Sequence, residues 1–158
     1  MKKVIIQKHN TLLTPYFKSL NEEWLKRWFV VEPIDNHVIS NPQAIINEGG
    51  EIIYASIIEE GEEKVVGCVA LKHHGKGVME LTKMAVTENY QAQGIGATLM
   101  HASINIFSEL NGKKLYLESH SSLKPAIKLY QRFGFVELPH PFKSAYQRSD
   151  FYMEYQAN

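Results

Sequence analysis

The chain of 158 residues contains one cysteine, so it cannot form an internal disulfide, and we expect a reducing, cytoplasmic location. It also lacks an excess of either charge, because 17 Lys and Arg residues balance 17 Asp and Glu residues. A balanced charge provides no general attraction to nucleic acid or anionic lipid. No apolar run approaches the length of a membrane span, and the apolar run near Met1 is too short for a signal peptide. We therefore expect neither nucleic acid nor a membrane as a partner.

Both common nucleotide-binding motifs are missing, yet a glycine loop is present. No Gly-Lys-Ser/Thr follows Gly94 and Gly96, and Leu99 stands where a dinucleotide fingerprint has its third glycine. The two glycines lie between a strand-like and a helix-like apolar run, and glycine lets the backbone come close to a ligand. The first amides of the helix and its dipole would attract an anion. The pattern predicts a phosphate or pyrophosphate site, although a tight strand-to-helix turn explains the same glycines.

The apolar periodicities predict one domain, residues 1–158, of class α/β. Strands are predicted near 4–8, 51–58, 64–73, 78–86, 114–118, 135–138 and 147–155. Helices are predicted near 11–30, 41–49, 95–110 and 121–133, the last capped by Ser121 or Ser122 with Pro125 in its first turn. We expect a mixed, mostly antiparallel sheet of six or seven strands flanked by about four helices. The segment 80–118 should form one right-handed parallel crossover.

Two motifs in this order resemble those of the GNAT superfamily of N-acetyltransferases. Gln91-x-x-Gly94-x-Gly96, after a strand ending in Met84-Ala85-Val86, resembles the acetyl-coenzyme A loop of that family. The run Ala126-Ile127-Lys128-Leu129-Tyr130-Gln131-Arg132-Phe133-Gly134-Phe135 is similar to its A-x-x-L-Y-x-x-x-G-F signature. One helix and one strand separate the motifs, and the resemblance spans roughly residues 50–155. It implies the GNAT-type fold.

The resemblance implies that acetyl-coenzyme A is a co-substrate held mostly by the backbone. Backbone groups of Met84, Ala85 and Val86 would align the pantetheine arm like an added strand. The amides that would hold the pyrophosphate belong to Gln91, Gln93, Gly94, Ile95, Gly96, Ala97 and Thr98. Two positions depart from the family pattern: Ala92 stands where glycine is common, and Leu123 stands where many members carry an asparagine that contacts the cofactor. We therefore expect side-chain contacts to the cofactor to be weaker near Leu123.

Two residues are candidates for acid–base chemistry. Tyr130 matches the usual general acid of the family, which contacts the cofactor and protonates the departing thiolate; it also shares a helix face with Leu123 and Ile127 and can be a packing residue. Glu80 precedes Gln91 by eleven positions, as does the general base of histone-acetylating members, but it can equally be an ordinary polar residue. Glu118 is a rival base at the end of the next strand.

The resemblance implies transfer of an acetyl group to a primary amine, of a small molecule or a polypeptide, by direct attack in a ternary complex. The alternative is a non-catalytic domain that binds or senses acyl-coenzyme A. The acceptor stays unidentified, and the sequence leaves a homodimer open. The N-terminal region offers aromatic residues that we expect in the core and acids that we expect at the surface: Trp24, Trp28, Glu22, Glu23, Glu32 and Asp35. Any of these acids that lined a pocket would suit a cationic amine.

Cys68 lies in the apolar strand Val65–Leu71, so we expect a buried and inert thiol rather than an acyl-cysteine nucleophile. The seven histidines show no metal-ligand spacing, and we expect no metal.

Overall fold

The computed structural model describes residues 3–156, in which seven strands form one sheet. The strands are β1 (Val4–Lys8), β2 (Glu51–Glu59), β3 (Glu62–His73), β4 (Val78–Val86), β5 (Lys114–Ser119), β6 (Phe135–Glu137) and β7 (Phe151–Tyr155). The α-helices are α1 (Thr14–Trp28), α2 (Pro33–Ile39), α3 (Pro42–Asn47), α4 (Ile95–Glu109) and α5 (Lys124–Arg132). Short 3-10 helices cover Thr11–Leu13 and Glu88–Tyr90. Residues 1, 2, 157 and 158 of the predicted domain lie outside the described part.

The strand order is β1-β2-β3-β4-β5-β7-β6, and neighbouring strands are antiparallel except for β4 and β5. The chain crosses from β4 to β5 through α4, which is the expected parallel crossover. The predicted fold class, a mixed and mostly antiparallel sheet flanked by helices, is confirmed.

Helices cover both faces of the sheet because successive strand residues point to opposite sides. On one face, Leu99 and Met100 of α4 pack with Leu115 and Leu117 of β5. On the other face, Phe17 of α1 packs with buried residues of β2, β3 and β4, and this cluster also includes residues of α2 and α3. Within residues 3–156, no helix is long and apolar enough to cross a bilayer.

Three local predictions were wrong. Helix α2 was missed because its seven residues are too few for a periodic signal; its N-terminus has Pro33 and a capping box between Glu32 and Asp35. The last strand begins at Phe151 rather than 147, because residues 147–150 belong to a loop that pairs with α2. Helix α5 has Leu123 as its N-cap.

Neither predicted serine caps α5 because each has another partner. The Ser121 hydroxyl donates to Asp150 at 2.7 Å, and the Ser122 hydroxyl lies 2.7 Å from Nδ1 of His120. Pro125 does lie in the first turn of α5, as predicted.

Strands β4 and β5 pair over only three positions, from Val78 with Lys114 to Glu80 with Tyr116. Beyond Glu80, β4 contains an irregularity in its register with β3, and Lys83 adopts a left-handed φ of 56°. The two strands therefore separate, and their facing edges border an open groove. This opening positions the candidate site.

Candidate active site

The groove between β4 and β5 is closed on one side by α1. Its lining residues are Asn21, Trp24, Leu25, Phe29, Glu80, Leu81, Thr82, Lys83, Met84, Leu117, Glu118, Ser119, His120, Leu123, Tyr130, Tyr146, Arg148 and Ser149. Of the three β4 residues predicted to align a cofactor, Met84 lies in the groove. Ala85 is buried against α1, and the Val86 carbonyl already accepts a hydrogen bond from Gln91 at 2.9 Å. That the backbone of these three residues aligns a cofactor stays a prediction.

The glycine loop precedes α4 and presents backbone amides. Gly94 is the N-cap of α4 with φ of 84°, and a Cβ added there would have no heavy atom within 4 Å. Within residues 3–156, no protein acceptor is bonded to the amides from Ala92 to Ala97, whereas the Thr98 amide donates to the Gly94 carbonyl at 3.0 Å. Unpaired amides at a helix N-terminus beside open space fit a pyrophosphate.

The side chains of this loop turn back onto its own backbone. Gln91 donates to the Val86 carbonyl, Gln93 donates to the Asn89 carbonyl at 3.1 Å, and the Thr98 hydroxyl donates to the Gly94 carbonyl at 3.0 Å. The side chain of Ile95 is buried in the core. An anion at this loop would accordingly be bound by backbone groups rather than by side chains.

Two further positions of the loop are sterically defined. A Cβ at Gly96 would lie 3.2 Å from Cδ2 of Leu129, so this glycine allows α4 and α5 to pack closely. Ala92 adopts φ of 60°, a left-handed conformation that favours glycine. The departure from the family pattern at Ala92 therefore falls where the backbone carries strain.

Tyr130 of α5 lies in the groove wall, half-buried, with its ring 6.2 Å from the ring of Phe135. Its hydroxyl has no hydrogen-bond partner among residues 3–156. Burial raises the pKa of Tyr130 to about 12, so the phenol keeps its proton over the whole working range of an enzyme.

Glu80 and Glu118 both line the groove, and each is held by a histidine. The Glu80 carboxylate accepts from Nε2 of His74 at 2.9 Å. The Glu118 carboxylate lies 3.0 Å from Nε2 of His140 and accepts from the Ser149 hydroxyl at 3.2 Å. Each carboxylate side chain is only 8% exposed, so both are shielded from bulk water.

A second cavity of about 470 Å³ lies on the same face of the sheet. Its lining residues are Ile34, Lys72, His74, Val78, Glu80, Lys114, Tyr116, Glu118, Pro141, Phe142, Lys143, Ala145, Tyr146 and Tyr152. Glu80, Glu118 and Tyr146 line both this cavity and the groove. The two spaces therefore meet at the two carboxylates.

An ion network borders the groove. Asp35 of α2 is fully buried and binds Arg148 through two hydrogen bonds of 2.7 Å. It also accepts from Lys83 at 2.9 Å, and Lys83 donates to the Tyr146 hydroxyl at 3.1 Å. Arg148 is in turn paired with Glu32 at 3.0 Å. Two acids balance two bases, which fixes the loop before β7 against α2.

The expectations for the N-terminal region hold only in part. Asp35 and Glu32 are not surface acids, because Arg148 and Lys83 draw them into the network. Trp24 packs against the core cluster around Phe17, as expected, and also lines the groove, whereas Trp28 is 49% exposed and does not belong to the core. The remaining two acids do lie at the surface: Glu22 pairs with Lys18 and Lys26, and Glu23 accepts from Thr87.

His74, Tyr116 and His140 were not identified as site residues from the sequence, although the residue pattern of β5 indicates the position of Tyr116. In Lys114-Leu115-Tyr116-Leu117-Glu118 the polar residues alternate with leucines, which places Tyr116 and Glu118 on one face. Burial and the carboxylates of Glu80 and Glu118 raise the pKa of Tyr116 above its ordinary value. Nothing local marks His140, which reaches Glu118 through the loop between β6 and β7.

Cys68 is fully buried, as predicted, with its sulfur 3.5 Å from Nδ2 of Asn21 and 3.6 Å from the Lys83 carbonyl. Burial raises the pKa of its thiol to about 12, which disfavours a thiolate. Among residues 3–156, no three His, Cys, Asp or Glu side chains are grouped closely enough to hold a metal ion.

A groove between separating strands, beside unpaired amides at a helix N-terminus, fits an extended ligand that carries a phosphate group. The sequence profile of the acetyltransferase (GNAT) family matches residues 14–135. The chain belongs to this family, as its two motifs predict.

An N-alpha-acetyltransferase of Sulfurisphaera tokodaii is 41% identical over 59 residues, which are 37% of this chain and 35% of that relative. The match thus spans about a third of the relative's length. The predicted enzyme class, an N-acetyltransferase, agrees with the family and with the relative's name.

Two solved structures share the fold. A GNAT-family acetyltransferase from Staphylococcus aureus superimposes with a TM-score of 0.82 at 21% identity, covering 97% of this chain and 98% of the other. The PaiA N-acetyltransferase of Thermoplasma acidophilum in complex with coenzyme A gives 0.71 at 16% identity, covering 98% and 99%. At such identities the likeness shows the fold alone.

Proposed function

We propose that this chain transfers an acetyl group from acetyl-coenzyme A to a primary amine by direct attack in a ternary complex. The observation that carries the proposal is the meeting of the groove and the second cavity at Glu80 and Glu118. Direct transfer requires the two reacting atoms to approach within about 3–3.5 Å. Two spaces that open onto one buried point allow a donor and an acceptor to reach it from different sides.

The donor side of the site is built for a phosphorylated, extended molecule. Acetyl-coenzyme A would supply an activated acetyl thioester. The unpaired amides from Ala92 to Ala97 bind its pyrophosphate, and the open space at Gly94 admits it without a steric conflict. Met84 lies along the groove beyond Glu80, the last position at which β4 pairs with β5, and there the edge of β4 that faces β5 would align the pantetheine arm.

Two kinds of proton transfer are available where the groove meets the second cavity. Glu80 or Glu118 takes a proton from the ammonium group of the acceptor, which must become a free amine before it can attack. Tyr130 gives its proton to the thiolate of coenzyme A as the C–S bond breaks. The raised pKa of Tyr130 keeps the phenol protonated near neutral pH, so it still holds a proton when the thiolate forms.

A covalent acyl-cysteine route is disfavoured by the position of the only cysteine. Cys68 lies within β3 under α1, behind Asn21 and Lys83 of the groove wall, and does not itself line the groove. With its thiol pKa raised to about 12, it offers no thiolate near neutral pH. Direct attack by the amine is the simpler route on this geometry.

The proposal is tested by following thiol release from acetyl-coenzyme A in the presence of small amines, amino acids and short peptides. We expect steady release that depends on the acceptor and an acetylated product identified by mass spectrometry. Tight binding of coenzyme A in calorimetry without acceptor-dependent release would contradict the proposal and indicate a sensing domain. The buried Cys68 keeps the background of protein thiol low.

A further inference from the structure

Three residues line both the groove and the second cavity: Glu80, Glu118 and Tyr146. In the proposed function, the reacting atoms meet where these two spaces join. An ionised carboxylate only accepts hydrogen bonds, so neither glutamate can stabilise the negative charge that develops on the carbonyl oxygen of the acetyl group during attack. Of the three shared residues, Tyr146 is the one whose side chain has a neutral hydroxyl group to donate.

The hydroxyl oxygen of Tyr146 is engaged, but its proton is free. Nζ of Lys83 donates to this oxygen at 3.1 Å. A phenol oxygen that accepts a hydrogen bond still carries a proton of its own to donate. Within residues 3–156, no acceptor is bonded to that proton, although Tyr146 is partly buried. A donor of this kind, at the border of two open spaces, is suited to an acceptor atom of a substrate.

Two cations hold the ring of Tyr146 in place. Nζ of Lys83 lies 4.4 Å from the ring centroid, and the guanidinium carbon of Arg148 lies 4.8 Å from it. Both cations are bound to the buried carboxylate of Asp35. The hydroxyl is therefore positioned before a substrate arrives, and this preorganisation makes a donor effective toward a developing charge.

The surroundings of Tyr146 also preserve the proton that it would donate. Burial raises the pKa of Tyr146, and the charges of Glu80 and Asp35 raise it further, against the opposing charge of Arg148. The Lys83 side chain is only 4% exposed, so its charge is little screened by water where it meets the phenol oxygen. A hydrogen bond received from this cation polarises the phenol and strengthens the bond that it donates.

We propose that the Tyr146 hydroxyl donates a hydrogen bond to the carbonyl oxygen of the acetyl group and stabilises the negative charge that develops there when the amine attacks. This inference rests on the proposed acetyl transfer. The proton of Tyr146 stays on the phenol throughout, whereas Tyr130 gives its proton to the departing thiolate. Tyr146 lies in the irregular loop between β6 and β7, where no short-range sequence pattern marks it.

A ketone analogue of acetyl-coenzyme A, in which a methylene group replaces the sulfur, tests this contact without turnover. Its carbonyl carbon, labelled with carbon-13, moves downfield in the NMR spectrum when a donor binds the carbonyl oxygen. We expect the resonance of the bound analogue to lie further upfield in Tyr146→Phe than in the parent, because the substitution keeps the ring and removes the donor. Thermal unfolding checks that the variant is folded.

Tyr152→Phe is the matched control for this measurement. Tyr152 lines the second cavity but not the groove, and its hydroxyl already donates to Glu154 at 2.7 Å. The substitution removes a tyrosine hydroxyl from the same region without removing the proposed donor. The resonance of the bound analogue in this variant should therefore equal that in the parent.

Turnover gives a second measurement. Tyr146→Phe should lower kcat by about 10²-fold, which is the usual effect of losing one donor to a developing oxyanion. KM for acetyl-coenzyme A should change little, because the hydrogen bond strengthens only as the charge develops.

The outcomes separate this inference from the proposed function. An unchanged carbonyl resonance in folded Tyr146→Phe would overturn the inference, and so would an upfield shift of that resonance in Tyr130→Phe alone. In both cases, acceptor-dependent thiol release by the parent would leave acetyl transfer intact. Binding of the ketone analogue without thiol release from acetyl-coenzyme A for any amine of the panel would instead overturn the proposed function.

Discussion

Glu80 and Glu118 occupy matching environments, since each side chain is 8% exposed and lies within 3.0 Å of a histidine Nε2. They also lie at the same junction between the groove and the second cavity. The geometry alone does not rank them as bases, but the family resemblance favours Glu80. The two residues are therefore natural controls for each other.

We predict that Glu80→Gln lowers turnover by about 10²-fold at neutral pH, which is the usual effect of losing a general base. The amide keeps an oxygen that can accept from His74. Because more of the acceptor is a free amine at higher pH, part of the lost rate should return as the pH rises. Turnover measured from pH 6 to 10 tests this.

Glu118→Gln is the control in the same pH series. It should lose less rate, with a pH profile parallel to that of the parent. An equal loss for Glu80→Gln at every pH, or a pH-dependent loss only in Glu118→Gln, would assign the base to the other carboxylate or to water.

Tyr130→Phe is predicted to lower turnover by about 10²-fold or more. The ring and its contact with Phe135 are retained, and the lost hydroxyl has no partner among residues 3–156. The free energy of unfolding and the affinity for coenzyme A should therefore change little. Single-turnover kinetics, thermal unfolding and calorimetry check the three quantities. A variant with normal turnover would leave Tyr130 as a packing residue.

The sequence predicts those parts of the site that depend on short-range patterns. The alternation of Leu115 and Leu117 with polar residues identifies β5, and glycines at a strand-to-helix junction identify the loop. Tyr130 could be placed because it belongs to a run in which helical spacing and the family signature coincide. In each case one element of the chain contains the whole signal.

The rest of the site depends on contacts between distant segments. Lys83 meets Asp35 across 48 positions, and Arg148 meets Asp35 across 113. Neither contact follows from periodicity, because α2 is too short and residues 139–149 form an irregular loop. The same loop brings His140 to Glu118 and Phe142 over Tyr116, so the second cavity could not be foreseen.

Gly94→Val should abolish measurable binding of coenzyme A. The branched side chain would enter the open space beside the unpaired amides, where a phosphate must approach. The substitution is also strained, because φ at this position is 84°. Calorimetric titration with coenzyme A measures the loss of affinity.

Gly61→Val separates this steric effect from strain. Gly61 has φ of 79° and also has no heavy atom within 4 Å of an added Cβ, but it lies in the turn between β2 and β3. The Gly61→Val variant should lose about as much stability as Gly94→Val and keep the parent's affinity for coenzyme A. Equal affinity in both folded variants would reject the pyrophosphate site.

We predict that ionisation of the Asp35 carboxyl makes the free energy of unfolding depend on pH below about 4. Burial alone would raise its pKa, but hydrogen bonds from Arg148 and the positive charge of Lys83 hold it at about 2, below the ordinary 3.8. A lowered folded-state pKa stabilises the fold above pH 4, and this stabilisation is lost as the pH falls toward 2. The shift corresponds to about 2 kcal/mol.

Asp35→Asn should remove that acid-dependent component and destabilise the fold at neutral pH by about 3–5 kcal/mol, because Lys83 and Arg148 lose their buried partner. Urea unfolding between pH 7 and pH 2.5 measures both effects. The control is Glu23→Gln, which removes an exposed acid of α1 and should behave like the parent.

If the Asn variant does not fold, Arg148→Gln gives the same test. Loss of the two short hydrogen bonds raises the folded-state pKa of Asp35 toward its ordinary value, so the acid-dependent fall in stability becomes smaller and ends at a higher pH. Curves parallel to that of the parent in both variants would show that Asp35 is not held ionised by this network.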